Sequence, residues 1–231
     1  MLIVRRLFTF QNWKYILPNV VLLKLLILII FIVPFFPPSS FAVLYQGGFT
    51  LLILASVFAL QKARKLNLII AFVVICIKWG VLGYNNELRN ISNIPQLLFF
   101  MYIVGRILLQ IATERHSTTH MILDCLNGYF LSVLVSALLI GITAFFLPGS
   151  FNFSNVAETP VEGMNEYIYH AIVVFSTTGF GDIIPNTPQA KSVSNLISVS
   201  GQLYVAVIIT LLLGNRRSSS QQRLNIDQKP S

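Results

Sequence analysis

Ser176-Thr177-Thr178-Gly179-Phe180-Gly181-Asp182, followed by Ile183-Ile184-Pro185, is the stretch on which the reading of this chain turns. It comes after Tyr167 to Ser176, a mostly apolar and aromatic segment preceded by Asn165 as a helix cap, with Glu166 in the first turn. An amide oxygen satisfies the orphan N–H groups of a helix start, and a carboxylate suits its positive end. Ten helical residues rise only ~15 Å, half of a ~30 Å hydrocarbon layer. In a membrane such a helix enters from outside, stops near the middle and returns as non-helical chain. Irregular backbone at that depth is tolerated only where it lines protein or water.

The rest of the sequence supplies the membrane. Of 231 residues, 55% are apolar and 10% charged, against about a quarter charged in soluble domains. Runs of ~20 mostly apolar residues lie at about 17–36, 43–60, 66–83, 121–147 and 190–213. A further run at about 95–113 contains Arg106, with Asn93 as a cap and Pro95 in the first turn, where a missing N–H costs nothing. Six spans put both termini on one face. Arg5, Arg6, Lys14, Lys62, Arg64, Lys65, Arg115, Arg216, Arg217, Arg223 and Lys229 all fall on that face, whereas Glu87, Arg89, Glu158, Glu162, Glu166, Asp182 and Lys191 fall on the other. By the positive-inside rule both termini are cytoplasmic. The net charge of +8 is then a consequence of topology, and no nucleic-acid partner is expected. A cleaved signal ending at Ser40-Phe41-Ala42 is an alternative for the first run, but it leaves the other spans oriented as before. Cys76 and Cys125 fall near opposite faces, so no disulfide between them is expected.

The glycines of the returning strand alternate. Gly179 and Gly181 take positive φ at little cost, and alternating backbone handedness turns successive carbonyls to one side. A row of parallel carbonyl oxygens is a ladder for a dehydrated cation: four chains around one axis provide about eight oxygens per ion, with the Thr177 hydroxyl adding a ring at the inner end. The preceding helix aims its partially negative C-terminus at the centre, where a cation waits. No Gly-Lys-Ser/Thr follows, so this is not a phosphate loop, and no G-x-S-x-G surrounds Ser176. The dull alternative is a Gly-rich external loop.

Thr177-Thr178-Gly179-Phe180-Gly181-Asp182 resembles the selectivity filter of potassium channels, usually T-V-G-Y-G-D, with Thr for Val and Phe for Tyr. The resemblance extends over about 95 residues: outer helix 121–147, pore helix 165–176, filter, and an inner helix that starts at Thr187-Pro188 and reads Gly201-Gln202-Leu203-Tyr204-Val205-Ala206-Val207. It is similar to the two-helix pore domain of prokaryotic potassium channels, here preceded by four further helices. The resemblance implies an all-α membrane protein with a re-entrant pore helix. It implies a homotetramer around one pore, K⁺ held at the carbonyls of Thr177, Thr178, Gly179 and Phe180 and the Thr177 hydroxyl, and Gly181 shaping the outer mouth. Tyr169 and Asp182 fall where the family often braces the filter; otherwise Tyr169 belongs to an interfacial aromatic belt and Asp182 concentrates cations. Gly201 falls where many members carry a hinge, though small residues also let membrane helices approach closely. Phe180 lacks the phenolic hydroxyl that often tethers the family's filter, and Val173 replaces a carboxylate found in some relatives.

On this reading residues 1–115 form a four-helix region, 116–215 the pore domain and 216–231 a short disordered tail. Val207 and Thr210 are candidates to face the cavity, and His170 is a packing residue. Lys24, Lys78 and Arg106 lie close enough to span ends to snorkel. One arginine in the fourth span is too few for a voltage sensor. His116, His120 and Asp124 at i, i+4 and i+8 share one helix face and form a candidate zinc or pH site; a solvated linker is the plainer reading. The expected function is passive, potassium-selective conduction across the cell membrane, with K⁺ as permeant ion, lipid as surroundings, and neither cofactor nor enzyme chemistry. The rivals are a weakly selective monovalent cation channel and a membrane sensor or scaffold with a vestigial pore.

Overall fold

The computed structural model describes residues 13–60, 64–81, 86–113, 118–153 and 163–227. Helix α1 (Trp13–Ile27) continues through a π-helical turn (Leu28–Ile32) and a 3₁₀ turn (Val33–Phe35). Pro37 is extended, with φ −65° and ψ 147°, and makes the corner before the 3₁₀ turn Pro38–Ser40 and helix α2 (Phe41–Ala59). Proline suits such a corner because its φ is preset and it has no N–H to satisfy. Helices α3 (Arg64–Gly80), α4 (Asn86–Ile91) and α5 (Asn93–Thr113) follow, and then the long α6 (Thr118–Phe146). Strand β1 (Phe151–Asn152), helix α7 (Met164–Phe175), strand β2 (Ile184–Pro185) and helix α8 (Pro188–Asp227) complete the described chain.

Among the described residues, five stretches are long and apolar enough to cross a membrane: Ile16–Phe35, Pro38–Ala59, Asn93–Thr113, His120–Phe146 and Pro188–Leu211. They agree closely with five of the six expected runs. The remaining run is α3, whose 17 residues sit at the lower limit for a span. Its Leu66, Ile69, Phe72, Val73 and Trp79 are all at least half exposed.

The core is built around α6, which packs against α1, α5, α7 and α8, while α2 packs on α1 and α3. Its fully buried Leu131, Val133, Leu134, Ala137 and Ile140 point in several directions around the helix, as expected of a segment surrounded by others. Polar contacts tie the N-terminal helices to this hub. Asn19 Nδ2 and Gln110 Nε2 donate to the two oxygens of Asp124 at 2.7 and 3.0 Å, and Asn127 Nδ2 donates to the Asn19 carbonyl at 3.0 Å. Tyr45 Oη donates to Asn165 Oδ1 at the start of α7. Lys78 Nζ donates to Asn93 and Gln96, and lies 5.4 Å from the Phe49 ring centroid. Cys76 and Cys125 are free thiols.

Two sequence expectations are corrected. The cap of α7 is Gly163, not Asn165: the helix begins two residues earlier than that cap would start it, and the Asn165 amide is engaged by Tyr45. The last helix does not give way to a disordered tail at 216 but runs to Asp227. Residues 216–227 contain neither Gly nor Pro, and extending an existing helix needs no new nucleation. Of the candidate trio His116, His120 and Asp124, His116 lies outside the described residues, and the two Asp124 oxygens accept from the amides of Asn19 and Gln110. Among the described residues no three His, Cys, Asp or Glu side chains converge as metal ligands.

Candidate functional site

Helix α7 has 12 residues, about 18 Å of rise, and is less than half the length of α6 and α8, which have 29 and 40. It buries Ile168, His170, Ala171, Val173 and Phe175. Two glycines make room for one of its aromatics: a Cβ on Gly141 would come within 2.9 Å of the Tyr167 ring, and one on Gly163 within 2.8 Å of its hydroxyl. His170 is 4% exposed and packs edge-on against Phe151, ring centroids 5.5 Å apart, so it serves as a packing residue.

Beyond Phe175 the chain reverses under the end of α7 by using its unpaired carbonyls. Ser176 N–H donates to Ile172 O at 2.9 Å and Thr177 N–H to Val174 O at 3.0 Å; Thr178 and Gly179 N–H both donate to Val173 O, at 3.0 and 3.2 Å. The C-terminal carbonyls that every helix leaves open thus become the clamp for the next segment. Val173 fills this role with its backbone and needs no side-chain carboxylate to do so.

Along the returning strand φ is +60° at Thr177, +60° at Gly179 and +78° at Gly181, and the intervening Thr178 and Phe180 are not left-handed. Left-handed and ordinary residues therefore alternate over five positions. A Cβ on Gly179 or Gly181 would meet nothing within 4 Å, so glycine is required there for conformation and not for space. Thr177 is β-branched and pays about 1–3 kcal/mol for its φ, a cost sustained only where surrounding contacts over-determine it. Residues 176–182 are all exposed in the single chain, Phe180 at 68%.

Both ends of the strand are held. At the outer end Tyr169 Oη donates to Asp182 Oδ2 at 2.5 Å. This bond, more than any other influence, holds the Asp182 carboxyl below the ordinary carboxylate value of 3.8. A depressed value keeps the acceptor ionised as pH falls, so the charged contact persists to a pH below that ordinary value. The strand β1–β2 pairs Phe151 with Pro185 and Asn152 with Ile184, and Asn186 N–H donates to Ser150 O at 2.8 Å, tying the exit of the segment to the end of α6. At the inner end Gln202 Nε2 of α8 donates to Thr177 Oγ1 at 3.2 Å, and the hydroxyls of Ser176 and Thr178 are 2.8 Å apart.

Gly201 is buried against the end of α7: a Cβ there would lie 2.0 Å from the Phe175 carbonyl oxygen and 2.9 Å from its carbon. Close approach is therefore one reason for this glycine, and α8 runs through it without a break. Nearby, Tyr204 Oη donates to Cys125 O at 2.7 Å, and a Cβ on Gly128 would collide with that hydroxyl at 2.4 Å. Val207 lines an apolar cleft of about 430 Å³ between α5, α6 and α8, together with Met101, Ser136, Leu203 and Tyr204. Thr210 is exposed and bonds back to Ala206 O at 2.8 Å. Sequence reasoning gave no role to Gln202 or Ser176; the available signal was an amide in an otherwise apolar run, directly after Gly201.

The family model described as "Ion channel" matches residues 129–214, which is the segment from α6 through the strand into α8. The chain is 26% identical over 101 residues to potassium voltage-gated channel subfamily A member 10 of Mus musculus, covering 44% of this chain and 20% of that protein. It is 28% identical over 85 residues to subfamily A member 2 of Oncorhynchus mykiss, covering 37% and 17%. It is 26% identical over 102 residues to the potassium voltage-gated channel protein Shal of Drosophila melanogaster, covering 44% and 17%. The chain thus spans about a fifth of the length of these relatives. No solved structure matches significantly. Residues 129–214 are thus similar to an ion-channel family and to the pore-bearing part of potassium channels, and helices long and apolar enough to cross a membrane flank and include that segment.

Proposed function

We propose that four copies of this chain assemble around one axis and conduct K⁺ passively and selectively, with residues 176–182 as the selectivity filter. The observation that carries this reading is the alternation of left-handed backbone at Thr177, Gly179 and Gly181 directly behind a helix of half-membrane length. Alternation sends successive carbonyls to one side, where four strands replace an ion's water shell. The exposure of the whole segment in one chain is what a surface completed by other copies requires. On this reading Thr177, Thr178, Gly179 and Phe180 bind the ion, Gly181 shapes the mouth, the Tyr169–Asp182 bond braces it, and Gly201 also serves as the hinge of α8.

Helix α3 is the sixth span. Its exposed apolar face is lipid-facing, and its length suffices for a crossing with little tilt. Both termini are then cytoplasmic in the cell membrane, in agreement with the one-sided distribution of Lys and Arg. Potassium and sodium flux through the reconstituted protein tests the proposal: flux of K⁺ well above Na⁺ is expected, and equal flux of both, or none, defeats it.

Two further outcomes follow. The α5 span contains Arg106 as its one charged residue, while voltage sensing draws on several charges per subunit; conductance is expected to vary only weakly with voltage, and a steep curve refutes this. Phe180 carries no hydroxyl to anchor the filter, so Phe180→Tyr is expected to slow the decay of sustained K⁺ current. Identical decay in parent and variant defeats that expectation.

A further inference from the structure

The side chain of Gln202 reaches from α8 across to the one residue of the returning strand that is left-handed without being glycine. Its Nε2 donates to Thr177 Oγ1 at 3.2 Å, and Thr177 has φ +60°. A β-branched residue stays in that conformation only when its surroundings fix it. The main chain supplies one constraint, Thr177 N–H to Val174 O at 3.0 Å, and Gln202 supplies one at the side chain.

The amide cannot slide away from its partner. Gly201, its immediate neighbour, is set against the Phe175 carbonyl so tightly that a Cβ would lie 2.0 Å from the oxygen. That contact fixes the height of α8 relative to the end of α7, and hence of Gln202 relative to Thr177. Residues 205, 206 and 209 share a face of α8 with 202 at helical spacing; these are Val205, Ala206 and Ile209, all exposed in the single chain. Gln202 is thus the polar group at the filter end of an apolar, exposed helix face.

We propose that Gln202 is a positioning residue of the conduction site: it orients the Thr177 hydroxyl, so that in the assembled protein four amides form a neutral ring that tightens cation binding at the inner end of the filter. This rests on the reading of 176–182 as a filter. A hydroxyl oxygen has two lone pairs and one proton. Accepting the amide N–H uses one lone pair and keeps the other for the cation, while limiting the rotation that would otherwise turn the O–H dipole against it. The ring carries no charge, so its effect is set by geometry and does not titrate.

The test uses the full chain reconstituted in planar bilayers, with Ba²⁺ as probe because it is a divalent ion of nearly potassium's radius. With one hydrogen bond's worth of ordering removed, Gln202→Leu is expected to raise the half-blocking concentration of Ba²⁺ applied from the cytoplasmic side about tenfold. Block from the Asp182 side is expected to change less than about twofold, a sidedness that general loosening of the protein would not produce. Gln202→Asn, whose amide is one methylene short, is expected to shift cytoplasmic block in the same direction; if the Leu variant does not assemble, this variant decides. A conducting parent with unchanged cytoplasmic block in the assembled variants, or with equal shifts from both sides, overturns the role of Gln202 alone. A parent that passes no K⁺ overturns the filter reading and this inference with it.

Discussion

Gly201→Ala is expected to destabilise the folded protein by about 3 kcal/mol or more, at the upper end of what inserted methyl groups cost in packed interiors. The new Cβ would stand 2.0 Å from a backbone oxygen, that of Phe175, and a backbone atom cannot swing aside as a side-chain end does. Relief requires moving α8 away from α7, which carries Gln202 from Thr177 and removes the floor beneath the returning strand. Thermal unfolding in detergent measures the effect, with Gly47→Ala as control. Gly47 lies in α2, where a Cβ would meet nothing within 4 Å, and the exchange there is expected to be neutral or to stabilise by ~0.5–1 kcal/mol through helix propensity. If Gly201→Ala melts with the parent, the close approach of the two helices is wrong. A hinge alone would not predict the melting loss, because alanine propagates a helix better than glycine does.

Gly179→Ala should leave melting nearly unchanged and abolish conduction. Its Cβ would meet nothing within 4 Å, but the residue sits at φ +60°, where an L-side chain costs about 1–2 kcal/mol. The cheapest escape is to return φ to negative values. In the proposed tetramer that rotates the adjoining peptide and removes a carbonyl from the ladder in every subunit at once. Summed over four copies the penalty on the conducting arrangement is about 4–8 kcal/mol, so K⁺ flux is expected to fall by at least roughly a hundredfold. Parent-like flux in a correctly assembled Gly179→Ala protein would show that the strand does not coordinate the ion. The two glycines therefore separate two requirements: one is a matter of space between helices, the other of backbone handedness.

Most of the spans could be read in the sequence because lipid imposes a one-dimensional rule: an uninterrupted apolar run of sufficient length must be helical, since no water is present to satisfy its backbone. The half-length of α7 and the alternating glycines were legible for the same reason, being local. Errors arose where a local signal was outcompeted. Asn165 has the chemistry of a cap but is taken by Tyr45, 120 residues distant. Arg216 to Asp227 has the composition of a tail, but it inherits a helix already nucleated upstream.

By itself the sequence determined where the long apolar runs lie, how its cations are distributed among the segments between them, and that a strand able to take left-handed backbone at every second residue follows a short apolar helix. Those properties depend on hydropathy, charge and the missing Cβ of glycine, each confined to a few neighbouring residues. Only the tertiary structure decided that Thr177 joins the alternation, that Val173 clamps the strand through its carbonyl, that Gly201 seats α8 on Phe175, and that Gln202 meets the Thr177 hydroxyl. Each of these is a contact between elements whose rotation and height are set by packing along their full lengths. No short window of residues contains that information.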